Sequence, residues 1–327
     1  MKMKPCLVVF GLFWLVTGSS WASCGSATCP IDTLTLGRGG PGWVRIGYDF
    51  EYINQNQPRI AKSKASIGEI PGDHDEIYTV NRYHRLNTSI GFTDRLSADI
   101  LLPFIARSHQ HNDNESGTPE LETWDMHGLG DLTVQTRYAF FKPEEQSRPI
   151  LSAILGGKFP TGAHHETNHD GAEAEPGVQP GTGSYDLILG ASTLQTFSVP
   201  MIKGEFGVLP VFTSLSYQWN GRGNDNYRLG NTFLFNVGMA YPLARPLSVL
   251  AQMNLRVRER DEAGDTTEQV ERTGGEFLYF SPGLEVRFGE AWTASALIQV
   301  PVYQRVNVIQ LTSDYNVLAS LSYRFKI

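Results

Sequence analysis

Regular alternation of apolar and polar residues dominates most of this 327-residue chain. Near its start, Val44, Ile46 and Tyr48 alternate with Arg45 and Gly47. Successive side chains of a β-strand point to opposite faces, so a period of two predicts strands with one apolar and one polar face. Segments with this pattern lie near residues 43–53, 79–92, 95–107, 128–141, 149–159, 183–196, 203–218, 227–241, 246–258, 276–288, 291–303 and 314–326.

The connections between these segments alternate in length, and this alternation predicts the topology. Short turns such as 93–94 and 242–245 separate long connections that are rich in His, Asp, Asn and Gly. Only an up-and-down meander with long loops at one end and short turns at the other explains this order. Pro210 interrupts the alternation of the seventh segment and removes a hydrogen-bond donor, so we expect irregular pairing there. The long connections are 54–78, 108–127, 160–182, 219–226 and 259–275.

The direction of the apolar face follows from the number of strands. A barrel of about eight strands is already just filled by its side chains, so twelve strands enclose too wide a space for an apolar core. The polar face therefore points inward and the aliphatic face meets lipid, which a closed barrel permits because every backbone group is paired. The predicted fold is an all-β, transmembrane, up-and-down antiparallel barrel with short periplasmic turns and long extracellular loops. The alternative is a secreted soluble β protein.

The N-terminus predicts export. Lys2 and Lys4 precede an apolar stretch at 7–16, and Ser20 and Ala22 form a small-x-small cleavage pattern. We expect cleavage after Ala22. The expected division is a signal peptide at 1–22, a short periplasmic segment at 23–42 and a barrel at 43–327.

Two cysteines remain after this cleavage. Cys24 and Cys29 are close in sequence, and an oxidising compartment permits a disulfide between them. The alternative is lipidation of Cys24, although Trp21 replaces the leucine that usually opens a lipidation motif.

Three glycine-containing motifs occur in a characteristic order. They are Gly-Leu-Gly-Asp-Leu at 128–132, Gly-Lys-Phe-Pro-Thr-Gly at 157–162 and Gly-Thr-Gly-Ser-Tyr-Asp at 181–186. In this order the chain resembles, over about residues 40–327, the outer-membrane β-barrel "transporter" family named for the phenol-degradation meta-pathway. The resemblance implies a channel for small molecules, with hydrophobic or aromatic compounds as candidate solutes.

Charged residues of both signs lie on the face predicted to line the lumen. Rings of such charges set the selectivity of a channel through electrostatics and width. Both signs are present, so strict ion selectivity is not expected. The alternative is a hydrogen-bonded plug that stiffens a closed barrel. The candidate lumen-lining residues are Arg45, Asp49, Glu51, Arg85, Asp99, Asp131, Arg137, Lys158, Asp186, Arg228, Arg256, Arg258, Glu285, Arg287 and Arg324.

Histidines in the third long connection form a candidate metal site. His164, His165 and His169 lie near carboxylates, and neutral imidazole binds Zn²⁺ or Cu²⁺ readily. Their spacing matches no known site, and a solvated extracellular loop is the simpler explanation. His109 and His111, in the preceding long connection, complete such a site only if the two loops meet.

The sequence predicts neither catalysis nor a cofactor. Outer-membrane phospholipases are also twelve-stranded and place a histidine and a serine close together on one strand, but no strand here has a histidine two residues before a serine. With 27 basic and 34 acidic residues the net charge is -7, which argues against binding nucleic acid.

The expected partners are outer-membrane lipid, the barrel assembly machinery and a small-molecule solute, for a monomer in the bacterial outer membrane. The C-terminal Tyr323-Arg324-Phe325 resembles an assembly signal, although two residues follow it. The leading hypothesis is a passive channel. The alternative is a closed structural or surface-interaction barrel whose extracellular loops bind a partner or a metal.

Overall fold

The computed structural model describes residues 21–22, 40–70, 74–114, 118–140, 149–202 and 204–327. Cys24, Cys29 and nearly all of the expected signal peptide lie outside these residues, so the disulfide and the domain division remain predictions. The strands are β1 (Trp43–Ile60), β2 (His74–Gly91), β3 (Leu96–Asp113), β4a (Glu120–Leu129), β4b (Leu132–Ala139), β5 (Ile150–Phe159), β6 (Asp186–Pro200), β7 (Phe206–Trp219), β8 (Thr232–Ala244), β9 (Leu247–Arg258), β10 (Gly275–Phe288), β11 (Trp292–Val306) and β12 (Ile309–Lys326).

These strands form a closed antiparallel barrel, which confirms the predicted fold. Each strand pairs with its neighbours in sequence, and β12 closes the ring by pairing with β1 from Trp43↔Lys326 to Ile60↔Ile309. β4a and β4b together occupy one position, because both pair with β3. Counted in this way the barrel has 12 strands.

The two faces of the wall have the predicted directions. Ile46, Leu86 and Leu284 are about half exposed on the outside. Polar side chains such as Asn254 and Gln299 are fully buried inside. Apolar residues outside and polar residues inside are the reverse of the arrangement in a soluble protein. This arrangement suits a barrel that is surrounded by lipid. Within the described part of the chain, no helix is long and apolar enough to cross a bilayer.

The first strands and the last are longer than the alternation predicts. Residues 54–60, 74–78, 108–113 and 120–127 belong to strands, although we expected loops there. A tilted strand of about 9–11 residues crosses a bilayer, so an 18-residue strand such as β2 extends well beyond it. Outside the bilayer the outer face meets water instead of lipid, so polar residues occupy both faces and the apolar alternation that marks a strand disappears.

The seventh strand is regular on one side only. Pro210 pairs with Thr196 of β6 in an unshifted register, whereas the pairing with β8 runs from Gln218 only as far as Val211. The ladder with β8 thus ends next to the proline, where irregular pairing was predicted.

Small elements complete the extracellular end. Ser63–Lys64 pairs with the end of β1, and Trp21–Ala22 pairs in parallel with Glu268–Gln269. Two 3₁₀ turns lie at Asn224–Asn226 and Val270–Arg272. The start and the end of the barrel meet at the opposite, short-turn end. There the Ile327 amide donates to the Gly42 carbonyl at 2.8 Å.

Candidate functional site

The structure buries most of the charged residues proposed to line the lumen. Three of them are not buried. Arg228 lies in an extracellular loop, where it pairs with Glu262, and Arg287 and Arg324 line a cavity near the chain termini. The buried or nearly buried ones are Arg45, Asp49, Glu51, Arg85, Asp99, Asp131, Arg137, Lys158, Asp186, Arg256, Arg258 and Glu285.

Charges on neighbouring strands pair across the inner wall. Arg85 forms an ion pair with Glu51. The amide of Asn87 donates to Asp49 at 2.9 Å and accepts from Arg45 at 3.2 Å. Such cross-strand pairing allows charged groups to remain buried in a narrow lumen.

The three glycine-containing motifs meet at one point of the wall. Lys158 on β5 lies 2.9 Å from Asp131, between β4a and β4b, and 2.9 Å from Asp186 at the start of β6. Asp131 also accepts hydrogen bonds from the Thr182 amide at 2.9 Å and hydroxyl at 2.6 Å. The residues that carry the family resemblance therefore fix both ends of the connection between β5 and β6.

Glycines allow the backbones to approach closely at this point. A Cβ atom on Gly162 would lie 2.7 Å from the Gly181 Cα and 2.9 Å from the Gly130 Cα. Any side chain there would displace backbone, so this contact requires glycine. The two ends of the connection are held together, and the residues between them project as a closed loop.

This loop, residues 160–185, folds back into the extracellular end of the lumen; we call it the inward loop. Arg107 on β3 donates to the carbonyls of Val178 and Gln179. The Trp124 indole donates to the Ala172 carbonyl at 3.0 Å. Val178 is 1% exposed and belongs to an apolar cluster with Trp124. The later part of the inward loop, near Val178, is thus buried against the barrel wall.

Below the inward loop lies a central cavity of about 360 Å³. Its wall combines charged groups, such as Arg85 and Lys158, with apolar side chains such as Leu101 and Ile105. Pro180 of the inward loop forms part of its lining. A mixed lining of this kind is typical of sites that hold small molecules with both polar and apolar parts.

A second cavity of about 300 Å³ opens near the chain termini and is lined by Arg45, Glu285 and Arg324. Phe212 lies between the two cavities. On the inner face of β7, Pro210 lines the second cavity and Ser214 lines the central one.

Phe212 is itself fully buried. Its ring fills the space that a side chain at Gly238 would take, since a Cβ atom there would lie 2.7 Å from the ring. A buried apolar side chain thus lies between the two cavities.

At the extracellular end, histidine and glutamate side chains converge inside the barrel. A bulge in β2 between Glu76 and Tyr78 contains one extra residue. Because of this bulge, the side chains of His74 and Glu76 lie on the same inner face as Thr79. Glu76 then lies directly opposite His111 of β3, and the inward loop adds Glu175. Four residues each offer one ligand atom here, and these four atoms all lie within 4.8 Å of one another. This group, which we call the mouth cluster, is His74, Glu76, His111 and Glu175.

The mouth cluster is shielded from solvent. The side chains of His74 and Glu175 are 0% and 11% exposed, and the His74 Nε2 lies 2.9 Å from the Glu175 Oε1. Burial raises the pKa of the Glu175 carboxyl above its usual range, although the charge of His74 opposes this shift. Burial, reinforced by the charge of Glu175, raises the pKa of nearby Glu268 to about 9. Carboxyl groups are therefore crowded into a dry site.

The histidines proposed from the sequence as metal ligands lie elsewhere. His165 is exposed and contacts Glu173 at 2.9 Å, and His169 is exposed as well. His164 is half-buried and contacts the Gly162 carbonyl at 2.9 Å. A site made of these three remains a prediction. His111, named only as a partner for them, joins the mouth cluster, and His109 lies next to it, with its Nε2 3.6 Å from Glu76.

Comparisons with known proteins agree with this architecture. No protein-family model and no curated protein matches the chain. Among solved structures, the COG4313 outer membrane channel from Pseudomonas putida F1 is similar with a TM-score of 0.64 and 14% identity, over 90% of this chain and 100% of that one. The chain has the fold of that channel.

Two further solved structures show weaker similarity. The translocator domain of the autotransporter NalP from Neisseria meningitidis gives a TM-score of 0.47 at 13% identity, over 89% of this chain and 91% of that one. The toluene transporter TodX from Pseudomonas putida gives a TM-score of 0.38 at 9% identity, over 94% of this chain and 95% of that one.

The chain therefore has the fold of an outer-membrane barrel, which agrees with the localisation predicted from the sequence.

Proposed function

We propose that the chain is a passive outer-membrane channel for small molecules. The observation that carries this proposal is the pair of cavities along the lumen, on either side of Phe212. A solute that enters the central cavity needs to pass only one apolar constriction to reach the cavity at the periplasmic end.

The lining of the central cavity indicates the class of solute. Positive and negative groups are both present and largely paired with each other, so no net charge selects one sign of ion. Leu101, Pro103 and Ile105 supply apolar surface beside them. This combination favours neutral molecules with an apolar or aromatic body and a polar end, in line with the resemblance to the phenol-pathway family. We infer that this solute contacts those of the predicted lumen-lining residues that line the two cavities.

In this proposal the working unit is a single barrel that requires no cofactor and performs no catalysis. Outer-membrane lipid covers its aliphatic exterior, and the bacterial barrel assembly machinery inserts it after removal of residues 1–22.

A second candidate is a closed barrel that serves as a surface-interaction protein. The inward loop supports it, because this loop lies across the extracellular end of the lumen and is held there by Arg107 and Trp124. In this case the extracellular loops bind a partner, and the cavities below are structural.

Conductance in planar lipid bilayers separates the two candidates. For a channel, the purified barrel gives discrete current steps that increase with salt concentration. A neutral aromatic solute then reduces those steps by occupying the lumen. A correctly folded barrel that gives no steps at any salt concentration contradicts the channel and supports the closed barrel.

Replacing Phe212 by alanine tests the constriction. We expect Phe212→Ala to increase the current step by about twofold or more, because an apolar constriction limits conduction by excluding water. The matched control is Phe197→Ala on the lipid face, where the side chain is 49% exposed. Equal steps in wild type and Phe212→Ala, with both barrels folded by electrophoretic mobility before and after heating, would place the constriction elsewhere.

A further inference from the structure

The mouth cluster has the donor set of a metal site. It contains two imidazoles and two carboxylates, and its residues come from β2, β3 and the inward loop. Structural Zn²⁺ sites take four such ligands in a tetrahedron, with metal–nitrogen and metal–oxygen distances near 2.0–2.2 Å. Neighbouring ligand atoms of such a tetrahedron are about 3.3–3.6 Å apart. From the His74 Nε2, the nearest carboxylate oxygens lie at 2.9 Å for Glu175 and 3.5 Å for Glu76.

Two ligand atoms in the mouth cluster are buried without a hydrogen-bond partner among the described residues. They are the Nδ1 of His111 and the Oε2 of Glu175. Buried polar atoms are nearly always paired in proteins, so each such atom indicates a missing ligand. The exposure of His111 is 6%, and water has little access to it.

Groups around the mouth cluster orient its ligands. The other ring nitrogen of His111, Nε2, lies 3.2 Å from a Glu122 carboxylate oxygen. His109 is held in a similar way by the Thr79 hydroxyl, at 2.9 Å from its Nδ1. A second hydrogen bond of this kind fixes the ring and the tautomer of a metal-binding histidine.

We propose that the mouth cluster binds one divalent transition-metal ion, and that Zn²⁺ is the ion its ligands match best. The ion neutralises two buried carboxylates and ties the inward loop, through Glu175, to the wall strands β2 and β3. This site is distinct from the exposed His164, His165 and His169. It does not depend on solute transport, because a metal that closes the mouth serves an open or a closed barrel equally.

The test measures metal binding by the full chain folded in detergent. Zn²⁺ is added, weakly bound ions are removed by dialysis against a mild chelator, and the metal content is determined by mass spectrometry. Affinity is then obtained by calorimetric titration, and Co²⁺ absorption reports the ligand geometry. We expect one Zn²⁺ per chain and visible Co²⁺ bands typical of four-coordination.

Variants decide which residues bind the ion. Glu175→Gln keeps the shape of the side chain and lies in a loop, so folding is not at risk, and we expect it to lower the affinity at least tenfold. His74→Ala is expected to act in the same direction. His165→Ala is the matched control from the same loop and leaves affinity unchanged. A wild-type chain that retains no Zn²⁺, or a Glu175→Gln chain that binds as tightly as wild type, would overturn the proposal.

Discussion

Lys158→Met is expected to destabilise the barrel by about 3–5 kcal/mol, the usual effect of removing one partner from a buried ion pair. The lysine is only 11% exposed and lies 2.9 Å from both Asp131 and Asp186. Without it, two buried carboxylates face each other with no cation between them. Unfolding in urea, followed by tryptophan fluorescence of the barrel in lipid vesicles, measures the change.

Two further variants make this prediction specific. Arg245→Met removes an ion pair with Glu205 at the surface, where the arginine side chain is 83% exposed. A change of no more than about 0.5 kcal/mol is expected there. Adding Asp131→Asn and Asp186→Asn to Lys158→Met should restore part of the lost stability. If Lys158→Met were no more harmful than Arg245→Met, the buried network would not be what holds the motifs together.

Removing the inward loop is expected to change conduction most. The Gly181 amide donates to the Ala163 carbonyl, and the flanking glycines are in contact, so residues 164–180 can be replaced by a short Gly-Ser link without separating β5 from β6. We expect a several-fold larger current step in planar bilayers, because the loop occupies the extracellular end of the lumen. The current step of the shortened barrel is the measurement.

The control for this deletion shortens a different loop. Residues 66–70, between β1 and β2, are largely exposed, and their removal should leave the current step unchanged. A shortened inward loop that conducts no better than wild type would show that the path is blocked below it, with Phe212 as the next obstruction.

The strands could be predicted from the sequence because the bilayer gives their two faces different solvents. Leu86 and Asn87, for example, are neighbours in sequence, and the first is 50% exposed to lipid while the second is 1% exposed inside. Above the bilayer this contrast vanishes. Residues 108–113 alternate only between polar types, and nothing in their pattern separates a strand from a loop.

The mouth cluster was missed for two physical reasons. A bulge near Glu76 changes which residues of β2 face inward, and a single extra residue of this kind leaves no clear trace in a polar segment. Glu175 depends on the inward loop, whose path is set by tertiary contacts with Arg107 and Trp124. The density of His and Asp in the long connections indicated the same end of the barrel, and His111 is the one histidine named from it that belongs to the mouth cluster.

The seam between β1 and β12 has a consequence for how this protein is made. Trp43 pairs with Lys326, so one edge of the first strand remains unpaired until almost the entire chain has been synthesised. Until then β1 and β11 are open edges, which cannot enter lipid without unpaired backbone groups. A chain that ends before β12 therefore cannot close the barrel, and its two open edges have no stable place in the membrane.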